Sequence, residues 1–585
     1  MTDAWHDSHG PSRFWVGGRW ALELRDDEIA DLTFDGRRVL RSVRAVVRDR
    51  DWNTATWVVE QIDETSSSLE LLVHSKGYGA ELRGTVRVDA ADDLLVVSFD
   101  AVSTTAFDTN RTGLVVLHPP QLAGSPLAVT HSDGSVEASG FPTDISPDQP
   151  AYDIAGLEWA DDGLEIDVRF TGDVFEMEDQ RNWTDASYKT YSRPLSLPFP
   201  YALAAGDHVR QSIAVRVTPR AAASIPPDPD RIELTDAGAA FPAVVVGASS
   251  APDPAPVLSP VAPTLLVEID LSAPSRHAAL ARAAASARPL DVRLVVDPAN
   301  PATIEEFVTR LVGLPVVRIG AFDPLTHVTD EDAAAAVRAA LAAAGIEVPV
   351  VGGARSHFTE LSREQGRIAH GLDGVVFSST PLFHSLTTEQ LVEALGMQRL
   401  VAEQAVRLAA GAPVHVGPVT LRPRFNDVAT VPPPVPADTD LTRGYGPQSA
   451  DADDERQDAP QLAAWTIASA AALAVPGVSS IAWFEEWGPR GAVRADGSDR
   501  PVAAALRGLA GLAGSRLLSS TSPDGSVWAI GAEGADGRTV LVANLDVATR
   551  ELTIVVDDAE VAASVPAESW LAIASRPADT SIPGP

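Results

Sequence analysis

The sequence predicts a multidomain α/β plus β protein, in which a central (β/α)8 TIM-like barrel follows an N-terminal β-sandwich domain and precedes a small C-terminal β-domain. Three changes of texture carry this expectation. Residues 13–220 are short runs in which apolar and polar residues alternate. From about residue 237, near-continuous apolar runs alternate with Ala- and Arg-rich helical stretches. The last 65–70 residues return to alternation. The domains are therefore expected at 1–225, 226–515 and 516–585. With 585 residues, 45% hydrophobic and 21% charged, the chain has enough apolar surface to bury several cores.

In the first region, Leu69–His74, Leu82–Val88, Leu94–Phe99 and Ser212–Val217 alternate with period two between Gly, Asp and Asn punctuation. That pattern marks half-buried antiparallel strands. Pro226-Pro-Asp-Pro-Asp230 reads as a linker. The barrel strands are expected at Ala243–Gly247, Leu265–Ile269, Val292–Val296, Val316–Ile319, Val348–Val351, Gly374–Phe377, Val414–Gly417 and Ser480–Phe484. Helices are expected at Arg276–Ala287, Ile304–Leu311, Asp332–Ala343, Glu389–Ala409 and Gln461–Ala474. Apolar strands each followed by a helix imply a parallel sheet covered on both faces. The first strand is the exposed point of the scheme, because Ser249–Pro263 is Pro-rich and offers no helix. If it fails, the eighth strand must follow Arg500–Leu512, and a doubly wound open sheet is the rival. The last strands are expected at Ser526–Ile530, Thr539–Asn544 and Arg550–Val556, with turns at Asp536-Gly537 and Asp546.

Composition removes several function classes. A formal charge of −35 repels duplex nucleic acid and anionic membranes, so neither is an expected partner. The chain has no cysteine, which excludes disulfides, thiolate catalysis and cysteine metal sites. No apolar run is long enough to span a membrane, and Met1–His9 has neither basic start nor apolar core; a cytoplasmic location is expected. There is no phosphate loop, dinucleotide turn, nucleophile elbow or His-Glu-x-x-His pattern. His357 and Glu360 would need ligands from other strands to hold a metal, so no metal or cofactor is expected. Nothing in the sequence sets the oligomeric state.

Barrel chemistry sits at the C-terminal ends of the strands. Three polar segments lie there: Gly352–Glu360 after the fifth strand, Gly417–Asn426 after the seventh, and Ala482–Arg490 at the eighth. Glu360 and Glu485 form the expected catalytic pair, since acids on strands three apart can face each other across the mouth. Trp483, Phe484 and Trp487 supply the aromatic walls that suit sugars. Two competing readings remain open: Glu360 as a first-turn helix acid, and Glu486 rather than Glu485 facing the mouth. Residues 175–191, FEMEDQRNWTDASYKTY, hold one of the chain's two lysines and one of its three methionines, although the genome strongly favours Arg. Glu178, Asp179, Asn182, Trp183, Asp185 and Lys189 are expected to reach from the sandwich to the barrel mouth and bind substrate, together with Arg424, Asn426 and Arg490.

These segments resemble the D-apionate lactonase family of sugar-acid catabolism. The resemblance rests on Asn110–Pro119, on residues 175–191, on Gly352-Gly-x6-Glu360-Leu, on His415–Asn426 and on Phe484-Glu485-x-x-Gly-x-Arg490-Gly, and it covers most of the chain. It implies a hydrolase that opens a sugar-acid lactone, D-apionolactone to D-apionate, within D-apiose breakdown. A glycoside hydrolase using the same two glutamates is the alternative, because a lactone carbonyl mimics the flattened glycosidase transition state. For lactone opening, one glutamate would activate water while the other, kept protonated, donates to the ring oxygen. Lys189, Arg424 or Asn426 would stabilise the oxyanion.

Overall fold

The structure, a computed structural model, describes residues 4–6, 10, 12–220, 228–424, 439, 441–445, 453–535 and 537–575. Residues Arg13–Pro219 form a single 17-stranded sheet system. Its alternation is the one expected: along Leu94–Ser103 every second residue is buried, so Leu95, Val97, Phe99 and Ala101 enter the core. Neighbouring strands pair antiparallel, as in Arg37–Asp49 against Phe107–His118. Tight Asp-Gly turns return the chain, and at Asp162-Gly163 both residues take the positive φ that a two-residue hairpin requires.

Eight parallel strands close into a barrel: Ala243–Gly247, Thr264–Asp270, Leu290–Val295, Val316–Phe322, Val350–Gly353, Gly374–Ser379, Val414–Val419 and Val478–Trp487. The first pairs with both the second and the eighth, which leaves no edge and removes the open-sheet alternative. The chain crosses from the first strand to the second without a helix. Inside, inward residues of neighbouring strands cluster: Val245, Leu266 and Ala482 on the first, second and eighth strands, and Phe322, Val351 and Val376 on the fourth, fifth and sixth. Outward residues such as Leu265, Val267 and Ile269 pack into the main core.

The C-terminal sheet departs from the expected layout. It has seven strands, and one of them, Arg231–Ala240, comes from before the barrel. This segment runs parallel to Arg550–Val556, with Ile232 opposite Ile554 and Leu234 opposite Val556. A stretch assigned to the barrel domain thus belongs to the C-terminal sheet, because Ile232 and Leu234 bury there beside Leu518, Val527 and Leu552. The barrel is in effect inserted into this sheet domain. The expected 225/226 boundary, the first two residues of the Pro226–Asp230 linker and the Asp536 turn lie outside the described residues. Helix Gln461–Leu473 is buried on all sides, as an element apolar all round must be, and joins barrel and C-terminal sheet in one core. Among the described residues, no helix is long and apolar enough to cross a membrane.

Candidate active site

The mouth of the barrel holds a pocket of about 560 Å³, its opening to solvent included, with Glu268, Glu485, Arg424, Arg490, Ser250 and Tyr445 among its walls. Glu268 interrupts the apolar second strand. It shares the inward parity of Leu266, which puts its carboxylate in the pocket instead of the outer core. One of its oxygens receives Arg355 Nη1 at 2.7 Å and Arg424 Nη1 at 3.2 Å. Burial pushes the Glu268 carboxyl up, but the Arg424 and Arg355 guanidiniums outweigh burial and hold it below its ordinary value. Arg355 Nε donates to His327 Nδ1 at 3.2 Å, and Arg424 Nη2 to the Arg355 carbonyl at 2.6 Å. Burial, reinforced by Arg355, lowers His327 to about 3, so the imidazole is neutral and can accept that bond.

Glu485 owes its direction to a bulge. Ala482 faces the barrel interior and Trp483 packs outward, donating to Ser469. Strict alternation would then point Phe484 and Glu486 inward. The register instead slips between Val246 and Gly247, Phe484 takes φ +51°, and Gly247 pairs with Glu485. The bulged Phe484 carbonyl comes so close that a Cβ on Gly247 would meet it at 2.6 Å, which is why glycine stands there. Glu485 therefore lines the pocket. It accepts from Ser250 N at 3.0 Å and Ser250 Oγ at 2.6 Å, and pairs with Arg490 Nη2 at 3.0 Å. Glu486 points away and pairs with Arg288 at 2.5 Å.

Glu360 is not among the described walls of this pocket. The fifth strand ends at Gly353, and Glu360 is three residues past the N-cap of the short helix Phe358–Arg363. Its carboxylate accepts from Ser356 Oγ at 2.6 Å and from His357 N at 3.1 Å, the contacts of a capping box. The carboxylate that shares the pocket with Glu485 is Glu268, not Glu360. Among the described residues, both pocket acids face guanidiniums.

The 178–189 segment does reach the barrel, but its groups divide. Trp183 stacks on Phe383 with ring centroids 4.4 Å apart, Thr359 donates to the Asn182 carbonyl and Thr184 to that of Thr380. These contacts dock the segment on the loops after the fifth and sixth strands. Asp179 is consumed by buried Arg181 at 2.7 Å, and Asn182 donates to the Ser146 carbonyl, so both shape the loop. Glu178 receives Lys189 at 2.6 Å and Arg363 at 3.0 Å, while Asp185 receives His384 at 2.7 Å. Asp185 and Lys189 line a separate cavity within the N-terminal domain. Of the expected binding residues, Arg424 and Arg490 are at the mouth, and Asn426 lies outside the described residues. Sequence reasoning missed Glu268, Ser250, His327, Arg355 and Tyr445. Only Glu268, an acid in the apolar run Thr264–Asp270, and Arg355, two residues past the fifth strand, left a usable signal. Among the described residues, no group of three or more His, Asp or Glu is arranged to hold a metal ion.

Comparison with known proteins follows the same division of the chain. Residues 1–220 match a family model described as the N-terminal domain of D-apionate lactonase, and residues 244–514 match its TIM barrel domain. A curated relative from Brucella anthropi named D-apionate lactonase is 29% identical over 564 residues, covering 87% of this chain and 89% of that protein. Among solved structures, a GH30 endoxylanase from Clostridium papyrosolvens aligns at 9% identity and a TM-score of 0.39, over 59% of this chain and 100% of its own. A galactose mutarotase-like protein from Lactobacillus casei aligns at 11% identity and a TM-score of 0.26, over 36% of this chain and 100% of its own.

Proposed function

The chain belongs to the D-apionate lactonase family, a family of hydrolases, and on that premise we propose that it opens D-apionolactone to D-apionate at the barrel mouth, within D-apiose breakdown. The observation that supports the site is Glu485, aimed by its bulge into a pocket that also holds the guanidiniums of Arg424 and Arg490.

Glu485 acts as general base and takes a proton from water as the water oxygen bonds to the lactone carbonyl carbon. The carbonyl oxygen becomes an oxyanion, which Arg424, already fixed against Glu268 and the Arg355 carbonyl, stabilises by a charge-assisted hydrogen bond. As the bond from that carbon to the ring oxygen breaks, Glu485 returns its proton to the departing oxygen. The new carboxylic acid ionises and releases one proton to solvent. Glu268 stays ionised throughout and is a positioning residue: it holds Arg355 and Arg424 in place. A single carboxylate that first takes and then returns the proton replaces the two-acid scheme, because Glu268 is held as an anion.

The test is pH-stat titration with D-apionolactone, other aldonolactones and aryl glycosides. Acid release from lactones alone is the expected result. Chromophore release from the glycosides without acid from lactones would overturn the reading in favour of a glycosidase.

A further inference from the structure

The N-terminal domain has a second cavity, of about 740 Å³ with its opening, lined by its own strands and by His384, Ser385 and Gln390 of the barrel. Two of its walls are Arg48 and Arg111, direct register partners on the antiparallel strands Arg37–Asp49 and Phe107–His118. Like charges set opposite each other destabilise a sheet. Four of the nearby acids are engaged by other groups, and a fifth, Glu28, stands in the same wall. Asp27 is held by Arg44 at 2.7 Å, Glu178 by Lys189 at 2.6 Å, Asp185 by His384 at 2.7 Å and Glu393 by Arg41 Nε at 2.8 Å. Among the described residues, neither Arg48 nor Arg111 forms an ion pair, and the Nε of each is buried without a partner.

Arg111 is 3% exposed and held over the faces of Tyr191 and Trp52, at 3.5 and 5.3 Å from their centroids. Its place is therefore fixed by packing, with no ion pair among the described residues. Burial and Arg111 push Arg48 down to about 10. Burial, with Arg111 and Arg48 beside it, brings Lys189 to about 8 despite Glu178. The cavity thus presents two guanidiniums that form no ion pair among the described residues, with Glu28 and Asp185 as the acids in its wall.

We propose that this cavity binds a small polyhydroxy carboxylate of the aldonate type, its carboxylate between Arg48 and Arg111 and its hydroxyls against Asp185, Gln180 and Thr54. Planar guanidiniums match a carboxylate, and neutral or acidic side chains suit hydroxyls. Glu28 and Asp185 in the wall disfavour a doubly charged phosphate more than a singly charged carboxylate. Two sequence motifs that the barrel mouth leaves unused meet here: Arg111, Val115 and Leu117 from Asn110–Pro119, and Gln180, Asp185 and Lys189 from residues 175–191. Among the described residues, the cavity shares no wall with the mouth pocket, so it stands or falls apart from the lactone chemistry.

The chain has two lysines, Lys189 in the cavity and Lys76 with its side chain 72% exposed. Full-length protein labelled with ¹⁵N-lysine therefore reports the cavity and an internal control in two side-chain signals. Titration with D-ribonate should shift the Lys189 signal saturably and leave Lys76 unmoved. Ribitol, which lacks the carboxylate, should shift neither signal, and inorganic phosphate should bind about tenfold more weakly or worse. By calorimetry, Arg48→Gln and Arg111→Gln should each weaken D-ribonate binding by about tenfold or more, while Glu485→Gln retains it. A Lys189 signal indifferent to D-ribonate, an equal response to ribitol, or phosphate binding as tightly as D-ribonate overturns the proposal. Should either Arg variant fail to fold, the titration of the parent protein with the three ligands still decides.

Discussion

Replacing Glu268 by Gln isolates what holds the mouth together. In the parent, one carboxylate oxygen serves two guanidiniums, at 2.7 Å from Arg355 and 3.2 Å from Arg424. Glutamine keeps the volume but removes the charge that both guanidiniums share, each with at most 16% of its side chain exposed. Removing one partner of such a buried network typically costs about 3–5 kcal/mol. For a barrel of this size that corresponds to a fall in apparent melting temperature on the order of 10 °C. The pH dependence has a definite sign. The folded value of Glu268 lies below its ordinary 4.5, so its contribution is fully present above 4.5 and is lost as pH falls through the lower folded value. Melting curves followed by circular dichroism should therefore show the full gap between parent and Glu268→Gln at pH 7, narrowing in acid below about 4.5. A gap under about 2 °C at pH 7, or one that widens in acid, would refute the view that Glu268 anchors the two arginines as an anion.

Glu485→Gln should lower kcat by about 10²–10⁴-fold and also lower the melting temperature, because it loses the Arg490 ion pair; Glu486→Gln, outside the pocket, should keep substantial activity while losing stability with its Arg288 partner. Steady-state kinetics on both variants check this, and a dead Glu486→Gln beside an active Glu485→Gln would reverse the assignment. Glu360→Gln should retain most activity, since Gln also serves at the third position of a capping box; a kcat as low as that of Glu485→Gln would restore Glu360 to the chemistry. Trp183→Ala removes the stack on Phe383, an aromatic truncation worth about 3–5 kcal/mol in a core. Hydrogen exchange should quicken in residues 178–189 and in the loop around Phe383, and unchanged protection there would mean the docking rests on the Thr184 and Asn182 hydrogen bonds.

Most of the fold was legible because period and length carry it. The eight expected barrel strands all appear, the long helix at Thr388–Leu408 falls within a residue or so of its expected span, and even the helix-free first connection was visible in its prolines. What misled was the segment Arg231–Ala240. Its alternation was too short to say which sheet it would join, and the partner that decides, Arg550–Val556, stands more than 300 residues away. Local pattern reports that a strand exists; the buried face it finds is a long-range fact.

The site shows the same division at finer scale. That Glu485 would face the mouth was expected from its aromatic company, yet the alternation of its own strand argues for Glu486. The answer depends on a single residue, Phe484, taking a positive φ so that the strand gains one residue and parity flips after Trp483. A bulky aromatic is a poor candidate for that conformation, so no local rule would have placed the bulge there; the room left by Gly247 on the facing strand permits it. Glu360 is the opposite case, in which local pattern and structure agree on its contacts. Its spacing from Ser356 and His357 already spelled a helix N-terminus, and the structure uses it as one. Glu268 was hidden by its own strand, where a run read as apolar disguised an inward-facing acid. Its meaning depends on Arg355 and Arg424, which the barrel brings to it from the ends of the fifth and seventh strands. In a barrel, the residues that share a mouth come from different strands, so the chemistry is set by closure and parity more than by neighbourhood in the chain.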